Sequence, residues 1–294
     1  MESSFLSEVV LPLAIVIIMI AVGMSLTLAD FRRILSHPKA VGVGVLCQLI
    51  LLPIIGILVA TIFPLSSVFA ISIVLLAASP GGTTSNLVSH AAELDRALSV
   101  TLTAVSNLFS WLTIPILLGI SFRLFSDGGT VGNFPVVDVM VQVAALTFVP
   151  IIIGMAIRHY QPNFAERTKN GSKIFSGVFL LIVILALVIQ NWNTILTEAP
   201  RFAPAFIVMN AVALAVGYGA ARFFGLSTKQ SVTIGVETGL QNSTLAITIA
   251  LSILSSSDMA IIPGLYGIWM LATGFAFAFG MNRGSESVES ATVI

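Results

Sequence analysis

Apolar residues run through this chain in long blocks, and the polar residues between them fall in short clusters. A helix needs about 20 mostly apolar residues to cross the hydrocarbon core of a bilayer. Blocks of that kind predict nine spanning helices, near residues 8–28, 38–62, 66–93, 97–122, 136–158, 173–191, 202–225, 228–256 and 259–281. Pro53, Pro115 and Pro150 are placed to kink three of them. The third and eighth blocks are different, because each is interrupted. In the third, the apolar run Val68–Ala78 gives way to SPGGTTSN, residues 79–86. In the eighth, the interruption is ETGLQNS, residues 237–243.

The two interruptions are related. SPGGTTSNL at 79–87 aligns with ETGLQNSTL at 237–245, an offset of 158 that pairs Gly81 with Gly239, Ser85 with Ser243 and Leu87 with Leu245. Each lies in the third helix of a four-helix block. Corresponding helices are five spans apart and so run in opposite directions, which is the pattern of an inverted-topology repeat. The predicted organisation is a first repeat at 8–122 (spans 1–4), an unpaired fifth span at 136–158, a second repeat at 173–281 (spans 6–9) and a disordered polar tail at 284–294. Paired broken helices at matching positions point to a binding site at the membrane midplane.

Composition agrees with a membrane protein. Charged residues make up 9% of the chain, against about 25% in soluble domains, and mean hydropathy is +1.05. The net charge of zero gives no basic footprint for nucleic acid. Arg32, Arg33, Lys39, Arg96, Arg158, Arg167, Lys169, Lys173, Arg222, Lys229 and Arg283 fall on one side of the predicted spans, and Arg123 and Arg201 on the other. Basic loops stay inside, so the N-terminus is expected outside and the C-terminus in the cytoplasm of a plasma (bacterial inner) membrane. The start, MESS, has no basic segment typical of a cleaved signal. No nucleophile–base pair, nucleotide loop or zinc spacing is present. The chain therefore reads as neither an enzyme nor a cofactor protein, and nothing in it calls for a protein partner.

Glu237 is the acidic residue deepest in a predicted span, and such residues mark function by default. No Lys or Arg lies mid-span to pair with it. It is left either protonated or bound to a cation. Ser85, Asn86, Ser99, Thr103, Gln48, Gln241 and Asn242 also lie within spans and offer neutral oxygens. One carboxylate with several such oxygens suits a hard monovalent cation such as Na⁺. The second halves of the broken helices begin near Thr83 and Gln241, and free N–H groups at those starts suit an anion. The expectation is a cation-coupled carrier of an anionic solute. The alternatives are a proton-coupled carrier using Glu237 and a membrane sensor that binds without transport.

PGGTTSN at 80–86 and ALSVTLTAVS at 97–106, with ETGLQNS at 237–243, resemble the bile acid:sodium symporter family and its bacterial homologues. GMSLTLADF at 23–31 and HPK at 37–39 fit the same pattern, and the resemblance spans about residues 8–281. It implies an all-helical integral membrane protein in a nine-helix form. Spans 1, 5 and 6 would form a panel domain, and spans 2, 3, 4, 7, 8 and 9 a core in which the broken helices cross. It also implies two Na⁺ as coupling ions. The first would be held by Ser85, Asn86, Ser99, Thr103 and Glu237, the second by Gln48, Glu237 and Gln241 with the carbonyls of Thr238 and Leu240. Substrate would lie between panel and core against Thr83, Thr84 and Asn242. Relatives often carry Asn or Gln where this chain has Leu271. The substrate stays open between a bile acid and a smaller anion such as a 2-keto or hydroxy acid.

Overall fold

The computed structural model describes residues 9–27, 30, 32, 35–126 and 134–292. Of the basic residues used for orientation, Arg33 lies outside the described residues, as do the side chains of Lys169, Lys173 and Arg283. Every regular element among the described residues is a helix. In chain order these are α1 (Leu11–Ser25), α2 (Pro38–Ile62), α3 (Ser67–Ala78), α4 (Thr83–Ala91), α5 (Arg96–Phe125), α6 (Val136–Tyr160), α7 (Pro162–Gln190), α8 (Trp192–Phe223), α9 (Thr228–Gly239), α10 (Ser243–Ile253) and α11 (Ser257–Thr292). Among the described residues, six segments are long and apolar enough to cross a membrane: α2, α5, α6, α8, Asn170–Gln190 of α7 and Ser257–Met281 of α11.

Both predicted interruptions are present. α3 stops at Ser79, whose backbone is extended and whose N–H bonds to Leu75 and Leu76 carbonyls. The following Pro80 disfavours a helical conformation at the residue before it. α4 restarts after Gly82, also extended. α9 opens on a capping box between Ser227 and Gln230 and ends at an extended Leu240. α10 opens on Asn242, whose side chain accepts from Leu245 N–H at 3.1 Å. These ends follow from local chemistry: a cap satisfies the first orphan N–H groups, and a proline or an extended residue ends the ladder.

The prolines act as expected in two helices. Ahead of Pro53, residues Cys47–Leu51 form a turn of π-helix, and α6 is broken at Thr147, three residues before Pro150. Proline lacks the N–H that would satisfy the carbonyl one turn back. The π turn carries Gln48 into the interior, 3% exposed.

Three boundaries differ from the sequence expectation. α7 begins at Pro162 rather than near 173, α8 at Trp192 rather than near 202, and α11 runs on to Thr292 through the residues expected as a disordered tail. Hydropathy marks the part of a helix that would sit in hydrocarbon. The hydrogen-bond ladder continues beyond it until a cap or breaker intervenes, since adding a residue to a formed helix is far easier than starting one.

α1 lies against α6 and α7. The α1–α6 crossing is close: a Cβ on Gly23 would run into the Ile151 carbonyl, and one on Gly154 into the Ile20 carbonyl. Small residues at such crossings let membrane helices approach. The main apolar core joins α3, α8, α10 and α11 through Ile71, Leu75, Phe202, Ile247, Ile262 and Tyr266, all 2% exposed or less.

Candidate ion and solute site

The two breaks lie side by side and antiparallel. Asn242 N–H donates to the Pro80 carbonyl at 2.8 Å, and Gly81 and Gln241 form a β-bridge. At this point the backbone of each arm is close enough that side-chain bulk matters. A Cβ on Gly81 would stand 2.7 Å from Glu237 Oε2 and 2.9 Å from Gln48 Nε2.

Behind the bridge is a cluster of oxygens. Glu237, 1% exposed, sits in the last turn of α9. Its Oε1 accepts from Ser99 Oγ at 2.5 Å and its Oε2 from Thr103 Oγ1 at 2.9 Å. Ser99 and Thr103 are one turn apart on α5, so one helix face reaches both carboxylate oxygens. Asn86 Oδ1 lies 2.8 Å from the same Ser99 hydroxyl. That hydroxyl has one proton for two acceptors, so the cluster holds more oxygen lone pairs than protons. Ser85 places its hydroxyl on the Gly82 carbonyl at 2.8 Å, next to Asn86 in the chain. The ion pairs seen among the described residues, Arg158–Glu166 and Arg201–Glu198, are elsewhere. A buried carboxylate without a basic partner is costly unless a cation or proton supplies the missing charge. Carboxylate, hydroxyl and amide oxygens are the donors a hard cation takes.

A second group adjoins the first. Gln48 Nε2 donates to the Glu237 carbonyl at 3.4 Å and Gln241 Nε2 to the Thr238 carbonyl at 2.7 Å. The other amide atom, Gln241 Oε1, is buried with no hydrogen-bond partner among the described residues. A buried acceptor left without a donor points to a missing ligand. Leu240, the extended residue after α9, gives its N–H to the Val236 carbonyl.

In front of the bridge is a cavity of about 360 Å³. Thr83, Thr84 and Asn242 line it, as do Asn86 and Gln241, which therefore belong to both the cavity wall and the oxygen groups. The opposite wall is mixed, with Ile18 and Val22 of α1 and Leu180 of α7 beside the hydroxyls of Ser25, Ser172 and Ser176. Arg158 and Glu166, joined at 3.0 Å, line it too. Leu271 is absent from the described lining, and α11 contributes Met270, one residue earlier.

Three buried residues at the crossing went unnoticed in the sequence. Asn107 Nδ2 donates to the Gly81 carbonyl at 3.0 Å. Asn210 Nδ2 and Tyr266 OH both donate to the Gly239 carbonyl, at 2.9 Å and 2.6 Å. For Asn107 a signal existed, since it follows Thr103 by four residues on the face that carries Ser99. Asn210 stands as an amide in an apolar run, whereas Tyr266 carries no such mark.

Comparison with known proteins gives a consistent picture. A family model described as the sodium bile acid symporter family matches residues 12–198. A probable chloroplastic sodium/metabolite cotransporter of Oryza sativa subsp. japonica is 28% identical over 273 residues, covering 91% of this chain and 62% of that protein. The ileal sodium/bile acid cotransporter of Cricetulus griseus is 28% identical over 276 residues, covering 92% of this chain and 77% of its own. The human ileal sodium/bile acid cotransporter is 26% identical over 295 residues, covering 97% and 84%. The chain thus spans less than two thirds of the rice protein and most of the two mammalian ones. These relatives are transporters, not enzymes.

Proposed function

Because the chain belongs to the sodium bile acid symporter family, a family of multi-pass membrane transporters, we propose that it carries a small organic anion together with Na⁺ by alternating access. The observation that carries this reading is the sharing of Asn86 and Gln241 between the oxygen groups and the cavity wall. A cation drawn into the oxygens fixes the two side chains that also shape the solute cavity, so each ligand favours the geometry the other needs.

The first Na⁺ is assigned to Glu237, Ser99, Thr103, Asn86 and Ser85. The second is assigned to Gln48, Gln241 and Glu237 with the Thr238 and Leu240 carbonyls. In the second group the unpartnered Gln241 oxygen supports the assignment. The anion is assigned to Thr83, Thr84 and Asn242, where two helices begin at the cavity and their first N–H groups favour negative charge. At about 360 Å³ the cavity is near the lower end of small-molecule sites, which favours a small carboxylate with an apolar body over a steroid. Met270, rather than Leu271, is the α11 side chain in position to meet it.

In this reading the nine predicted spans form the inverted repeat. α1, α6 and α7 form the panel, and the remaining helices the core. The packing of α1 on α6 and α7 and the lie of the cavity between α1 and α7 on one side and α4 and α10 on the other support this division. With the N-terminus outside, Arg158 and Glu166 mark the cytoplasmic end of the cavity. Two Na⁺ with a monoanion move one net positive charge per cycle, so transport is electrogenic.

The test is a thermal-shift screen of small organic anions with NaCl and with choline chloride, followed by uptake of each hit into proteoliposomes. The reading predicts stabilisation by an anion that is stronger in Na⁺, and accumulation driven by a Na⁺ gradient and enhanced by an inside-negative potential. Uptake equally fast in choline but driven by a pH gradient would assign Glu237 to protons instead. Binding without accumulation would make the protein a sensor.

A further inference from the structure

The two glycines paired by the 158-residue offset, Gly81 and Gly239, have their carbonyls captured in the same way. The Gly239 carbonyl ends the first half of the second broken helix, and the Gly81 carbonyl lies in the extended link between α3 and α4. Each is taken by an asparagine amide from another span. On the first arm, Asn107 Nδ2 of α5 donates to Gly81 O at 3.0 Å and to Thr103 O at 2.8 Å. On the second, Asn210 Nδ2 of α8 donates to Gly239 O at 2.9 Å and to Tyr266 OH at 3.1 Å, and Tyr266 of α11 donates its hydroxyl to Gly239 O at 2.6 Å. All three side chains are 1% exposed or less.

We propose that Asn107 and the Asn210–Tyr266 pair are positioning residues that pre-form the cation site by holding the two glycine carbonyls. Neither group touches the Glu237 carboxylate in the structure. Both sit one step from it. Asn107 stands on the α5 face whose Ser99 and Thr103 meet the carboxylate. Gly239 lies two residues after Glu237, and Gln241, which bonds the Thr238 carbonyl, two residues beyond that. A carbonyl released at either glycine can rotate toward the oxygen cluster or toward the arm that faces it. The space beside Gly81 is so tight that an added Cβ would stand 2.7 Å from Glu237 Oε2 and 2.9 Å from Gln48 Nε2, so a backbone shift there displaces the ligands themselves. With the clamps in place, the oxygens meet an arriving ion without rearranging. That is the condition for tight binding of a weakly held monovalent ion.

This inference rests on the Na⁺ reading above. Its test uses Na⁺ alone on the purified full-length chain. The Na⁺ concentration giving half-maximal thermal stabilisation, at constant ionic strength with choline, is measured for the wild type, Asn107→Ala, Asn210→Ala and Tyr266→Phe. The two alanine variants are expected to raise it about tenfold. Tyr266→Phe, which leaves Asn210 on the carbonyl, is expected to raise it about threefold, as suits the loss of one of two hydrogen bonds. A purely structural role would lower the melting temperature without Na⁺ and leave the half-saturation within twofold of wild type in all variants, which would overturn the proposal. If the alanine variants fail to fold, the near-isosteric Tyr266→Phe decides by the same criterion. A wild type with no Na⁺-specific stabilisation would instead remove the Na⁺ reading itself, and the clamp proposal with it.

Discussion

The two broken helices meet antiparallel at one bridge, Gly81 against Gln241, yet bring different chemistry to it. The first arm contributes neutral groups, with Ser85 on the Gly82 carbonyl and Asn86 on Ser99. The second contributes the only carboxylate in the cluster, Glu237, and the amide Gln241 with its unpartnered oxygen. Their matched glycines are also needed for different reasons. A Cβ on Gly81 would press on Glu237 Oε2 and Gln48 Nε2, whereas one on Gly239 would press on the Leu214 side chain, 2.5 Å from Cδ2. Repeated backbone geometry thus supports an asymmetric site. One arm carries the charge, and the other makes room for it.

Removing the charge breaks the comparison most severely. Glu237→Gln keeps the shape and deletes the carboxylate. Na⁺-dependent uptake should fall about a hundredfold or more, the scale of leaving a buried ionic site without one partner. A substitution at Ser79, which aligns with Glu237 at the 158-residue offset, removes no charge. Ser79→Ala deletes a hydroxyl that donates to its own helix at Leu75 O and should leave Na⁺ half-activation within about twofold.

The glycines come next. Gly81→Ala should raise the Na⁺ half-activation about tenfold or more, because the added methyl displaces two proposed ligands from a packed site. Gly239→Ala should show mainly as lower thermal stability, on the order of 1–3 kcal/mol for overpacking against Leu214, with Na⁺ activation little changed. Equal effects of the two substitutions on Na⁺ activation, measured in the same uptake assay, would remove the asymmetry.

Asn86 and its counterpart Thr244 both line the cavity, but only Asn86 also meets the oxygen cluster. Asn86→Ala should therefore raise both the Na⁺ half-activation and the substrate KM, each about tenfold for a lost buried polar contact. Thr244→Ala should change KM alone. The smallest effect is expected at the paired serines. Ser85→Ala removes one proposed ligand oxygen of the first Na⁺ together with its hydrogen bond to the Gly82 carbonyl, and should raise the Na⁺ half-activation about threefold. Ser243 has a buried hydroxyl with no partner among the described residues, and Ser243→Ala should be neutral or slightly stabilising.

Much of this arrangement is legible in the chain itself. The interruptions at 79–86 and 237–243 announced themselves as breaks in otherwise apolar blocks, and the structure breaks both helices there. Ser99 and Thr103 could be placed on one face by helical spacing, and both reach Glu237. What sequence could not supply was contact across the fold. That Asn107, Asn210 and Tyr266 converge on two glycine carbonyls depends on how α5, α8 and α11 pack against the breaks, and no local pattern records that. The N-terminal ends of α7 and α8 likewise lie beyond what hydropathy marks. Hydropathy follows lipid exposure, while α7 and α8 extend as far as their hydrogen bonds allow. The resemblance to the family singles out Leu271 by its place in the run WMLATG. On a helix a shift of one residue turns the side chain by about 100°, and Met270 is the side chain that faces the cavity.

The central claim is that the oxygens around Glu237 hold Na⁺. Equilibrium binding of radioactive Na⁺ to the purified protein, compared between wild type and Glu237→Gln with choline balancing ionic strength, tests it without knowledge of the substrate. The account predicts saturable binding by the wild type, displaced by unlabelled Na⁺ but not by choline, and its loss in Glu237→Gln. Saturable Na⁺ binding that survives unchanged in Glu237→Gln, or its absence from a folded wild type, would contradict it.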